Sequence, residues 1–218
     1  MKFVDIHTHQ KADDQIIQLI NHPVQSDFPL KAGANYSVGI HPWDIEHFDS
    51  KVLLSRLEGI AQERQVRAIG ECGLDRAIKT PLEKQSQIFI RQIEIAEQVQ
   101  KPLIIHAVKT YSELIQLKKK RGSSLPWILH GYQGNKQTTV QLVNHDFYFS
   151  IGTKILLKST KHIESIKQIP LEKLFFETDD SSEKVETIYT FASQFLDVPL
   201  NELQELIFNN YQRIFGNG

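Results

Sequence analysis

Residues 66–107, VRAIGECGLDRAIKTPLEKQSQIFIRQIEIAEQVQKPLIIHA, decide the fold. Both ends are short runs rich in Val, Ile and Leu, the composition of strands buried on two faces. Between them Pro81 suits a helix start, and Ile88, Phe89, Ile93, Ile95, Ala96 and Val99 give an apolar stripe at helical spacing. Strand, helix, strand in this order is the unit from which parallel sheets are made.

Outward from this unit the pattern recurs. β-rich runs stand at 2–6 (KFVDI), 15–20 (QIIQLI), 36–40 (YSVGI), 66–71 (VRAIGE), 102–107 (PLIIHA), 126–130 (PWILH), 147–152 (FYFSIG) and 173–178 (KLFFET). Helical stretches follow at 110–121, 135–145, 181–196 and 199–215. Eight apolar strands, alternating with helices from the fourth onward, predict an α/β fold, a (β/α)8 barrel. The front third is too lean for full βα units, so its helices are expected to be short or missing. The 218 residues read as one domain.

Composition is that of a globular protein, with 40% hydrophobic and 23% charged residues. A formal net charge of -1 gives no general attraction to nucleic acid or an anionic membrane. The one basic run, Lys118 to Arg121 before Gly122, is where a helix C-terminus favours cations and a permissive glycine. A single cysteine, Cys72, excludes an internal disulfide. With no signal-like leader and no apolar stretch of spanning length, the expected location is cytoplasmic. Nothing points to a membrane or an obligate protein partner.

The chemistry lies in where the polar residues fall. His7 and His9 close the first run, His41 the third, Glu71 the fourth, His106 the fifth, His130 the sixth and Asp179 the eighth. In a parallel barrel these ends meet at one rim, where the active sites of this architecture sit. Five imidazoles there would repel if charged and lose hydrogen bonds if buried and neutral. A divalent ion resolves both conflicts. Four histidines and two carboxylates exceed one tetrahedral shell. They suit two ions sharing a carboxylate, which lower the pKa of a water and clamp both reacting oxygens. That chemistry is hydrolysis.

With these residues in place, the chain resembles the TatD family of metal-dependent hydrolases, in the amidohydrolase-like barrel superfamily. The carriers are DIHTH (5–9), VGIHPWD (38–44), AIGECGLD (68–75), the helix and strand through LIIHA (103–107), LHGYQG (129–134) and ETDD (177–180). The resemblance implies that His7 and His9 bind a first ion, Glu71 bridges both, and His106 and His130 bind the second. It implies that Asp179 touches the first ion and holds the attacking water as general base, so that Glu71 and Asp179 are the catalytic carboxylates. It further implies a barrel fold and cleavage of phosphodiesters in DNA, on a DNA end or a smaller phosphodiester. The expected cofactors are two divalent ions, zinc, magnesium or manganese, and histidine–carboxylate sites also accept iron.

Three departures from the family pattern bear on substrate. The arginine usual two residues after the fifth-strand histidine is replaced by Val108, with Lys109 beside it. A lysine does not reproduce a planar fork on phosphate. The segment after ETD enters a helix almost at once, and the early βα units are short. His41, Trp43 and Lys109 are the candidate substrate contacts, with Lys109 and nearby backbone N–H groups left to hold an anion. The alternative reaction is hydrolysis at carbon, of an amide, lactone or cyclic amide, since the same ions polarise a carbonyl. Asp5 either orients a ligand imidazole or makes a buried polar contact. Asp180, as the neighbour of Asp179, is expected on another face if the strand continues. Cys72 is expected to pack rather than react.

Overall fold

A computed structural model describes residues 2–10, 13–26, 30–157 and 159–216 of the chain. All eight expected strands are present: β1 Val4–Thr8, β2 Ile17–Pro23, β3 Asn35–Gly39, β4 Val66–Asp75, β5 Leu103–Val108, β6 Trp127–Leu129, β7 Phe147–Ile151 and β8 Leu174–Phe176. They pair in chain order, each neighbour parallel. A bridge between Thr8 and Asp179 returns β8 to β1 and closes the barrel.

The helices are α1 Ser50–Ile60, α2 Leu82–Val99, α3 Tyr111–Arg121, α4 Lys136–Asn144, α5 Thr160–Ile166, α6 Val185–Leu196 and α7 Leu200–Phe215. Among the described residues no helix lies between β1 and β2 or between β2 and β3, as the lean front third leads one to expect. None of the helices is long and apolar enough to cross a membrane. The reading of the basic run as a helix end holds: α3 stops at Arg121, and Gly122 caps it at a φ of 62°. Lys118 nevertheless turns inward. Its ammonium donates to the Asp146 carbonyl and lies 4.9 Å from the centre of the Phe147 ring.

Strands and helices meet over a core in which Phe89, Trp127, Phe147, Phe149, Phe175 and Phe176 are fully buried. Each such side chain removed from water contributes about 1.5–3 kcal/mol. α2 buries Phe89, Ile93, Ile95 and Ala96 as its pattern predicts, but also two glutamines. Gln92 accepts from the Ile40 N–H at 2.7 Å and donates to the Ile40 carbonyl at 3.1 Å. Gln85 treats Asp75 in the same way, at 2.7 and 2.9 Å, and also donates to the Thr80 carbonyl. Seven residues apart, the two amides share one face of the helix. They pin the ends of β3 and β4, the two strands that deliver the His41 loop and Glu71.

β4 runs four residues past its expected end at Glu71 and carries Asp75 to the rim. Its close approach to β5 depends on Gly73, at a φ of 139°. A Cβ there would lie 2.1 Å from the His106 carbonyl oxygen.

Candidate metal centre

Six of the strand-end residues converge around Glu71. Its carboxylate is buried, and its Oε1 faces three imidazoles: His130 Nε2 at 2.7 Å, His106 Nδ1 at 3.0 Å and His41 Nε2 at 3.1 Å. Its Oε2 faces His7 Nε2 at 3.4 Å. On the far side of His7, Asp179 Oδ1 lies 3.5 Å from both His7 Nε2 and His9 Nε2. His7 is thus shared between two carboxylates, and Glu71 between two sets of histidines. Three groups of donor atoms lie close enough to hold an ion: His7, His9 and Asp179; His7, Glu71 and His130; His41, Glu71 and His106. His41, expected on the substrate side, stands within the ligand cluster.

The local chain explains these positions. Asp179 adopts a φ of 56°, in the left-handed region that Asp tolerates better than most residues. Its N–H donates to the His7 carbonyl at 2.9 Å, and its carbonyl accepts from the His9 N–H at 3.0 Å. The turn brings its carboxylate back over β1. It also ends the strand alternation, so Asp180 lines the same cavity as Asp179, contrary to the expectation of another face. Asp5 accepts from the Thr178 N–H at 3.1 Å and the Thr178 hydroxyl at 2.7 Å. It makes the buried polar contact of the two readings and pins the seam between β8 and β1. Burial pushes its pKa up to about 7.

The residues fit divalent ions on the chemistry of their donors. His7 and His130 are buried, yet none of their ring nitrogens has a hydrogen-bond partner among the described residues. Unpaired buried nitrogens facing carboxylate oxygens are a cation's donor set. The electrostatics agree. Burial alone would raise the Glu71 pKa, but His130, His106 and His41 hold it well below the carboxylate range. Burial likewise opposes ionisation of Asp179, and His7 and His9 reverse it. Burial and His130 push the His7 pKa down, yet Asp179 and Glu71 win and raise it to about 9. The site is a negative well in which protons and metal ions compete for the same atoms.

A cavity of about 370 Å³ opens beside this cluster. Its lining includes His9, His41, Trp43, Glu71, His106, His130 and Asp179, together with Gln25, Asp44 and Asp180. No Lys or Arg is among its described lining residues. Lys109 is not part of it. Its backbone adopts a φ of 54°, and it lines a separate cavity with Tyr111, Ser112 and His145. Trp43 does line the site, 57% exposed, with its indole N–H donated to Asp75 at 2.8 Å. Asp75 and Glu177 escape a reading by strand ends. Asp75 faces His106 Nε2 at 3.1 Å, and Glu177 faces His130 Nδ1 at 3.4 Å while accepting from the Gly131 N–H. The signal was present in GLD (73–75) and ETD (177–179), where Asp75 stands four residues after Glu71 and Glu177 two before Asp179. Cys72 is fully buried on β4, and its thiol is pushed up by burial and by Glu71, as befits a packing residue.

Comparison with known proteins agrees with the site. Residues 25–216 match the family model described as TatD related DNase, and the chain belongs to this family. It is 28% identical over 209 residues to a metal-dependent hydrolase of Mycoplasma pneumoniae, a match covering 85% of this chain and 78% of that one. It is 28% identical over 172 residues to deoxyribonuclease Tat-D of Schizosaccharomyces pombe, covering 71% and 55%. In structure it resembles the TatD homologue YJJV of Escherichia coli K12, with a TM-score of 0.84 at 20% identity over 99% and 98% of the two chains.

Proposed function

We propose that this metal-dependent hydrolase uses two divalent ions to cleave a phosphodiester, either in a DNA end or in a smaller molecule. His7, His9, Glu71 and Asp179 would hold one ion, and Glu71, His106 and His130 the other. When bound, such a pair supplies an acidified water and positive charge for the attacking and leaving oxygens. The chain supplies the rest. Glu71 fixes the spacing of the two ligand sets. Asp179 lies at the cavity wall with its carboxylate held ionised, so an oxygen is free to take the proton of the attacking water. Trp43 offers an exposed ring for the part of the substrate that does not react.

The observation that carries this reading is the position of Glu71, with one oxygen turned to His41, His106 and His130 and the other to His7. One observation favours the second reading, hydrolysis at a carbonyl. Among the described residues the cavity wall has no Lys or Arg, and Lys109 lines a separate cavity. DNA-binding surfaces hold phosphates mainly through such cations. On the phosphodiester reading the ions alone receive the anion, and a short or terminal substrate is expected.

The test is hydrolysis by the metal-reconstituted protein, with Asp179→Asn as control. Short single-stranded DNA and an aryl phosphodiester are run beside a lactone and an amide series. Metal-dependent cleavage of DNA from an end supports the nuclease reading. Turnover of carbonyl substrates alone replaces it with the second.

A further inference from the structure

We infer that Asp75 is a positioning residue: it fixes which nitrogen of His106 faces Glu71 and ties that imidazole to Trp43 on the cavity wall. The inference rests on the metal-centre reading above. Asp75 is buried at the end of β4. Its Oδ2 receives both the Trp43 indole nitrogen, at 2.8 Å, and His106 Nε2, at 3.1 Å. Its Oδ1 receives the Ala77 N–H at 2.7 Å.

The protonation pattern follows from the partners. Indole and amide N–H groups only donate. Both oxygens of Asp75 therefore act as acceptors, as an ionised carboxylate does. With this carboxylate ionised, its third partner, His106 Nε2, is a donor as well and carries the proton. In the tautomer with its proton on Nε2, His106 turns the lone pair of Nδ1 toward Glu71 Oε1, 3.0 Å away. A lone pair and a carboxylate oxygen oppose one another unless a cation lies between them. Asp75 thus sets the tautomer that a ligand at this position needs, as carboxylates behind metal-binding histidines do.

The carboxylate cannot easily swing away. Gln85 brackets the Asp75 backbone through its N–H and its carbonyl, and the same amide holds Thr80. One oxygen therefore serves two parts of the site. Trp43, 57% exposed, forms substrate wall, and His106 forms ligand shell. The ring of Trp43 stands 6.0 Å from that of His106 and 4.9 Å from that of His41.

The experiment reads the proton directly. Zinc-loaded protein labelled with ¹⁵N at histidine is examined by long-range ¹H–¹⁵N correlation, and His106 is assigned from the loss of its signals in His106→Asn. Expected is a proton on Nε2 and none on Nδ1; a proton on Nδ1 overturns the role of Asp75. In parallel, Asp75→Ala is checked for fold by circular dichroism and titrated with zinc. Its affinity should fall about 10–100-fold, while Lys119→Ala, at an exposed position of α3 away from the site, stays close to wild type. Wild-type affinity in a folded Asp75→Ala overturns the inference. If that variant does not fold, the wild-type spectrum alone decides. Failure of the wild type to take up zinc overturns the metal-centre reading together with this one, whereas normal uptake with the opposite tautomer overturns only this one.

Discussion

Asp179 meets His7 twice: its backbone N–H donates to the His7 carbonyl at 2.9 Å, and its Oδ1 lies 3.5 Å from the His7 ring nitrogen. The backbone contact is independent of the side chain's charge. Asp179→Asn should therefore keep the barrel closed and lose turnover by about 10²–10⁴-fold, the usual weight of a general base. Circular dichroism and steady-state kinetics on the same preparation check this. Kinetics near wild type would remove Asp179 as the base.

Glu71 is turned toward both ligand sets, Oε1 to His106 and His130 and Oε2 to His7. Glu71→Ala should leave the protein with clearly less bound metal, read by elemental analysis after dialysis against a metal-buffered solution. Unchanged stoichiometry would refute the bridging role. Chelation of the wild type should likewise abolish activity while most helix signal remains, because the helices pack on the sheet and not on the ions.

Gly73 lets β4 and β5 approach at the rim. Gly73→Ala places a Cβ against the His106 carbonyl and a side chain at a φ of 139°. Strain of this kind costs about 1–3 kcal/mol or more. A melting temperature lower by roughly 5 °C is expected for a chain of this size. A melting temperature equal to wild type would show that the two strands part without cost.

Lys118 gives a pH signature away from the site. Burial lowers its pKa from 10.5 to about 8, the Asp146 charge opposing and the Lys173 charge assisting. Between these values the unfolded chain binds more protons than the folded one, so stability should rise as pH increases from about 8 toward 10.5. The burden is full below pH 8 and amounts to about 1–3 kcal/mol. Lys118→Met should flatten that rise in urea melts taken across the window. An unchanged slope would assign it to other groups.

The strands were legible because a parallel sheet covered by helices leaves near-continuous apolar runs, and every one of the eight lies where its run does. The ligand cluster was legible for a geometric reason: a barrel gathers strand ends, so residue type at those ends suffices. Four features were hidden. Gln85 and Gln92 look like the wet side of α2 because amides are usually solvated, and their backbone partners are distant in sequence. Lys118 reads as a dipole-facing cation, since nothing local announces Phe147 beneath it. Asp180 breaks the alternation rule because that rule holds only while φ stays extended, and Asp179 leaves it. Lys109 fails in the same way, one turn of backbone redirecting a side chain that adjacency to Val108 had assigned to the site.

The seam where β8 returns to β1 also orders events in time. Thr178 and Asp5, which pin it, are 173 positions apart. During synthesis His7 and His9 leave the ribosome long before Asp179 exists, while Glu71, His106 and His130 arrive within the middle of the chain. A nascent chain stalled before β8 holds a lone cluster around Glu71 and half of the other. On the proposed reading, hydrolytic competence would wait until the last strand has docked, because Asp179 arrives only with it.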